Sequence, residues 1–443
     1  MKETDLTQGK IFQKLIKFSL PMIAGNLLQQ IYNLVDTLIV GRCLGADALA
    51  AVGSAYTLMI FITSIIIGLC MGSGAFFSED YGAGNQKKLK EDIWLSFWFI
   101  LSVSVVICAI IYPGMNFILW ILQTPKELME LTREYVTVVF VGIIFVFLYN
   151  FFAYLLRSMG NSFMPLVFLA ISSVLNIVLD IWFVAGLNMG VGGAALATVI
   201  AQAVSGLGLL IYSMIKIPVL KNNHERTGFN IQRLKEIIIN DVATGIQQSV
   251  MNFGILMIQG LVNSFGITIM ASFAAAVKID TIAYMPAQEF GNAYSLFVSQ
   301  NYGADEKDRI RKGTHISFVI SALFCVVISL MIFIFAENLM RIFIDADEIR
   351  IIAEGTRYLK IEGSMYVGIG VLFLWYGYFR GINKPHISLL LTVISLGTRV
   401  IISYTLAPHT PFGVTAIWSS IPIGWVLADV VGLYLYMKIF NGR

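Results

Sequence analysis

Two aspartates stand where aspartates are costly. Asp36 closes the stretch LPMIAGNLLQQIYNLVD, an apolar run long enough to cross a bilayer, and Asp180 lies in a later run of the same kind. An acid at the centre of a membrane helix costs roughly 2.5–3.5 kcal/mol on insertion scales, so it normally faces a protein interior or water rather than lipid. Gln29, Asn33 and Asp36 recur at helical spacing, with Tyr32 one turn before the acid, so one face carries the whole polar set. Around the second acid, Ser173, Asn176 and Asp180 repeat the pattern, and Thr198 and Gln202 repeat it in the following span. If Asp36, Asn176, Asp180 and Thr198 converge, they offer two carboxylates, an amide oxygen and a hydroxyl, a set suited to a hard cation such as sodium. The same set suits a shared proton, because two adjacent carboxylates cannot both ionise cheaply. The plainer reading is that each acid is hydrogen-bonded between helices.

The elements that must hold these groups are membrane spans. Of 443 residues, 57% are hydrophobic and only 13% charged, against about 25% charged in soluble proteins. Twelve apolar runs reach spanning length, so the fold class is an all-α polytopic membrane protein. Lysines and arginines crowd alternate loops, among them Lys87, Lys88, Lys216, Lys221, Arg309 and Arg311, which places both termini in the cytoplasm. The first span follows Lys10, Lys14 and Lys17 with no cleavage site and reads as retained. Pro21 lies inside it, removing a backbone donor, and can serve as a hinge. The net charge of +3 is spread over many loops and makes no nucleic-acid patch. No Walker A segment is present, so direct nucleotide use and cofactors are not expected.

The chain repeats itself. SEDYGAGNQKK, around Ser78, Tyr81 and Gly82, returns half a chain later as SQNYGADEKDR, around Ser299, Tyr302 and Gly303. Arg157 of LLRSMGN returns as Arg380 of YFRGINK, and Gly190 as Gly413. Each copy holds six spans, an even number, so both have the same orientation in the membrane. The expected organisation is an N-terminal bundle over 1–218, a cytoplasmic linker over 219–241 and a C-terminal bundle over 242–443. Such pairs hold substrate between them and work by rocking.

The halves differ in their polar content. The seventh span contains no acid, offering Gln247, Gln248 and Asn252, and the position matching Asn176 is Arg399. Asp241 and Glu362 fall near span ends on this reading. Ion exchange is therefore expected in the first half, with Arg399 doing permanently in the second what a bound ion does transiently in the first. The eighth span carries Lys278, Asp280 and Glu289, with Tyr284 and Met285 between them. Asp280 or Glu289 would meet a cationic substrate there, with Tyr284 and Met285 supplying cation–π and apolar contact. The competing reading is an internal pair or a link to Arg399.

At LPMIAGNLLQQIYNLVDTLIVGRCLGADALAAVG, and again at Asn176 and Asp180, the whole chain resembles the multidrug and toxic compound extrusion (MATE) family, and within it the DinF-like branch. The resemblance implies two six-helix bundles related by pseudo-symmetry and efflux of bulky, often cationic compounds in exchange for protons or sodium. It also implies an amino-terminal cation site at Pro21, Asp36, Asn176 and Asp180, with Tyr32 and Thr198 fitting the same site. Asp36, Asn176 and Asp180 would ligate a metal ion only with sodium as the coupling ion. Gln29, Asn33, Gln248 and Asn252 would line the substrate cavity. A flippase for lipid-linked precursors, of the same broad superfamily, is the nearest alternative, but it needs a basic cavity and only Lys278 and Arg399 lie at depth. An intramembrane aspartyl protease would need a glycine-rich context that Asp180 lacks. The expected protein is a monomeric transporter of the bacterial cytoplasmic membrane, bathed in lipid and handling small drug-like molecules. The native substrate, the choice of ion, its stoichiometry and any bending of the first span are left open by the sequence.

Overall fold

The computed structural model describes residues 5–121, 124–221 and 230–441, and within them the chain is helical with no strands. In the first half the helices are α1 (Ile11–Leu44), α2 (Ala46–Gly82), α3 (Gln86–Ile121), α4 (Met129–Val141), α5 (Ile143–Ser158), α6 (Phe163–Asp180), α7 (Gly190–Lys216) and the short α8 (Pro218–Lys221). The second half holds α9 (Ile231–Ser264), α10 (Ile267–Gly303), α11 (Lys307–Met340), α12 (Ile349–Gly363), α13 (Tyr366–Gly381), α14 (Pro385–Leu406) and α15 (Val414–Asn441). Eight of these helices are long and apolar enough to cross a membrane, and α4 with α5, bent by 42°, makes a ninth. The polar-bearing α1 and α9, and α12 continued by α13, complete twelve crossings among the described residues.

The duplication is written into the backbone. Gly45 (φ 89°) pairs with Gly266 (96°), Gly84 (67°) with Asp305 (55°), Gly160 (82°) with Asn383 (56°) and Gly190 (64°) with Gly413 (49°). The second copy replaces glycine with aspartate and asparagine, the residues that best tolerate this left-handed region. The chain therefore turns at the same places in both halves.

Two compact units result, Leu20–Gln248 with Met1–Leu6, and Ser249–Arg443 with Thr7–Ser19. Their borders run through helices: α1 changes unit beside Pro21 and α9 after Gln248. The stretch read as a linker is thus helical from 231 onward and packs with the first unit, while 222–229 lies outside the described residues.

Within the first unit α9 lies against α2 with no room for side chains. A Cβ on Gly68 would strike the Gly245 backbone, and one on Gly72 would strike Asp241. Close approach of this kind is what small residues permit in membrane bundles. Ser73 donates to Asp241, which is fully buried. Nearby, Arg233 lies over the Phe76 ring and bonds Asp92, which is also buried.

Several helices outrun the apolar runs that announced them. α9 starts at Ile231 rather than 242, so Asp241 lies well inside it. α12 starts at Ile349, and Glu362 is its last residue but one, just ahead of α13. Both acids are buried, Asp241 well inside α9 and Glu362 at the end of α12 as the sequence suggests.

Candidate ion-binding site

In the first unit α6 presents Asn176 and Asp180 on one face, 2% and 0% exposed. The α-helix ends at Asp180 and continues as a π-helical turn, Ile181–Gly186, in which the Leu187 amide donates to the Trp182 carbonyl at 2.9 Å. Single π turns within helices gather at functional sites. Asp36, on α1, reaches Asp180 with the two carboxyls within hydrogen-bonding range of each other.

Three of the four carboxyl oxygens are buried and find no donor among the described residues. Asp36 Oδ1, both Asp180 oxygens and both polar atoms of the Asn176 amide are buried without a partner among the described residues. Buried polar groups are satisfied in the great majority of cases, so a cluster of orphans calls for a mobile occupant. Unpartnered oxygens of two neighbouring carboxyls and an amide, with no lysine or arginine bonded to them among the described residues, suit a proton or a small hard cation.

Around this pair the remaining residues sort themselves. Tyr32 lies within hydrogen-bonding reach of Gln29, and Tyr56 of α2 within reach of Asn33. Tyr135 of α4 is close enough to feel the charges of both acids. Thr198 donates to the Ala194 carbonyl of its own helix at 3.1 Å, leaving only its lone pairs for another role. Gln202 Oε1 is buried and unpartnered beside Gly142, where a Cβ would collide with it. The α4–α5 bend at Gly142 thus lets α7 bring an amide close. Pro21 interrupts the hydrogen bonding of α1 without ending it. Tyr56, Tyr135 and the π turn escaped the sequence reading. The one available signal was that Tyr135 has a partner at Tyr358 in the second copy.

The second unit treats its buried charges differently. Asp280, 4% exposed, accepts a 2.7 Å hydrogen bond from the Tyr366 hydroxyl and feels the charges of Glu362 and Arg399. Tyr358, one turn before Glu362, lies within hydrogen-bonding reach of it. Asp280 is thus held by Tyr366 with the Arg399 charge nearby, and no ion pair joins Asp280 to Arg399 among the described residues. Glu289 accepts from the Asn292 amide, whose oxygen accepts from Arg380. Met285 is buried in the bundle, while Tyr284 packs its ring 6.0 Å from that of Phe373. Lys278 is exposed on α10, roughly half a helical turn around from the buried Asp280, so it does not lie among the internal charges. Gln248 and Asn252 are both half-buried on α9.

Comparison with known proteins gives the same repeat. The MatE family model matches residues 21–182 and again 243–405, once in each half. The chain is 32% identical to Probable multidrug resistance protein YpnP of Bacillus subtilis (strain 168), over 89% of this chain and 88% of that protein. It is 25% identical to Probable multidrug resistance protein NorM of Thermotoga maritima, over 95% and 90%. Among solved structures, a MATE protein in its bent conformation matches with a TM-score of 0.93 at 24% identity, over 100% of this chain and 98% of that one. An outward-facing multidrug resistance MATE transporter matches with a TM-score of 0.92 at 23% identity, over the same shares. At such identities the structural likeness speaks for the fold.

Proposed function

The chain belongs to the MatE family of membrane transporters, and we propose that it is a secondary active antiporter that exports bulky, often cationic drug-like molecules in exchange for protons or sodium. The observation that carries the ion half of this reading is the pair Asp36–Asp180, three of its four oxygens buried without a donor among the described residues, with the orphaned Asn176 amide. The names of the multidrug resistance relatives support the cargo half. As a family of transporters, its members have no bond-breaking chemistry to perform, and the protease reading is set aside.

An external cation enters between Asp36 and Asp180 and supplies the charge that the surrounding protein withholds. With sodium, Asn176 Oδ1 and the Thr198 lone pairs complete the shell; with a proton, the two carboxyls share it. Filling the site removes the repulsion between the acids and draws α1 toward α6, with Pro21 absorbing the change because its nitrogen has no hydrogen bond to break. Cargo then leaves on the outer side, and loss of the ion inside restores cargo affinity. Such coupling requires each ligand to disfavour the other by the same factor. The basic loops support a topology with both termini in the cytoplasm of a bacterial cell, and in this reading the chain acts as a monomer.

The test is efflux of a fluorescent lipophilic cation from vesicles holding the purified protein, with proton and sodium gradients imposed separately. One gradient drives export by the wild type, and Asp36→Asn abolishes it. If neither gradient moves the dye while the protein is folded, antiport is wrong and lipid-linked cargo becomes the reading to try.

A further inference from the structure

The second unit contains a cleft of about 930 Å³ that the ion and cargo scheme does not use. It lies between α11, α12 and α15, at the end of the bundle where α11 finishes and the other two begin. A volume of this size falls in the range that holds a small organic ligand. Most of its lining is apolar, with Phe333, Ile423 and Leu427 among the walls, and its cations are Arg357 and Lys360 on α12.

These cations sit one turn apart and are only partly compensated. Arg357 pairs with Glu354 at 3.4 Å and donates to Thr415 Oγ1, which fixes it between α12 and the start of α15. Lys360 has no ion pair among the described residues; its ammonium rests 5.3 Å from the Phe333 ring centroid. Thr356 lines the same cleft with its hydroxyl buried and unpartnered. The fold does not demand these charges. The matching positions of the first copy, counted from Tyr135 against Tyr358, are Glu134 and Thr137.

We propose that this cleft is a site for an acidic phospholipid of the surrounding bilayer. Its phosphate would lie between Lys360 and Arg357, with the Thr356 hydroxyl as a further donor, and one acyl chain would run along Ile423 and Leu427. Charge complementarity selects this occupant. A zwitterionic lipid brings its own cation to compete with Lys360 and Arg357 for the phosphate, whereas an anionic headgroup leaves its phosphate charge to them while the chain fills the rest.

Native mass spectrometry of the full chain in detergent, titrated with phosphatidylglycerol and with phosphatidylcholine of the same acyl chains, tests the assignment. One phosphatidylglycerol is retained per chain in preference to phosphatidylcholine. Lys360→Gln cuts that preference about fivefold, the factor one basic residue contributes near a membrane surface. Lys360→Arg keeps it, and Arg357→Gln combined with Lys360→Gln removes it. Lys360 is exposed, so these variants fold, which helicity by circular dichroism verifies. Equal retention of the two lipids by the wild type, or an undiminished preference in the double variant, overturns the proposal. Neither outcome depends on ion-coupled efflux.

Discussion

In the first unit Tyr135 stands near Asp36 and Asp180, and in the second its counterpart Tyr358 stands near Glu362, Asp280 and Arg399. The repeats place Arg399 where the first copy has Asn176, and Ser403 where it has Asp180. Both locations hold two carboxyls, with Asp36 only half-buried, but among the described residues the second has a guanidinium nearby and a tyrosine hydroxyl bonded to one acid. A buried acid with a cation built in nearby has a fixed positive charge close at hand, although Glu362 Oε2 and Arg399 Nε are themselves unpartnered among the described residues. An acid pair without such a cation must borrow its compensation, and what is borrowed can be exchanged. Duplication supplied the scaffold, but the acids stand at unmatched positions, Asp180 against Ser403, Glu362 against Val139 and Asp280 against Met59, so several substitutions set the two units apart.

The sharpest way to break this contrast is to give the first unit what the second has. Asn176→Arg places a guanidinium beside Asp36 and Asp180, so gradient-driven dye efflux falls to the level without a gradient. The loss equals the coupling factor, about 5- to 150-fold in systems of this kind, with helicity by circular dichroism unchanged. Conversely, Arg399→Gln leaves Asp280 and Glu362 buried without their cation. Leaving buried acids without a nearby cation is destabilising, read as a lowered Tm, and Glu362→Gln in the same chain recovers much of it. The ion that drives transport stays the same in both variants. Tyr366→Phe takes one hydrogen bond from Asp280 and costs about 1.5–3 kcal/mol, the range for bonds to charged groups, again by thermal melting. Thr198→Ala has the smallest effect and the most discriminating one. Its proton is committed to the Ala194 carbonyl, so only a sodium ion uses its lone pairs. Sodium-driven efflux weakens in this variant, whereas proton-driven efflux does not change.

The sequence disclosed Asp36, Asn176 and Asp180 because each breaks an otherwise apolar run, and it disclosed the duplication because Tyr81, Gly82, Arg157 and Gly190 return at Tyr302, Gly303, Arg380 and Gly413. Glu362 stayed hidden for the opposite reason. Arg350, Glu354, Arg357 and Lys360 precede it, so the charged first turns of α12 read as a loop and the acid as a span end. Lys278 and Asp280 seemed alike in sequence, yet two residues of helix separate them by about 200°, which sends one to the surface and the other into the core. Tyr56 and Tyr135 carry no periodic signal, since a lone tyrosine in an apolar helix resembles packing. The π turn after Asp180 and the cleft beside Lys360 arise from how helices meet, which no single helix encodes.

The most direct test of the contrast is ion release on cargo binding by the purified protein in detergent, followed with a pH indicator for protons and radioactive sodium for the metal. The account predicts release of one of the two ions when a lipophilic cation is added to the wild type. It also predicts loss of that release in Asp36→Asn and in Asp180→Asn, and its persistence in Asp280→Asn. Release that survives both first-unit changes and disappears with Asp280→Asn would place ion exchange in the second unit and contradict the account.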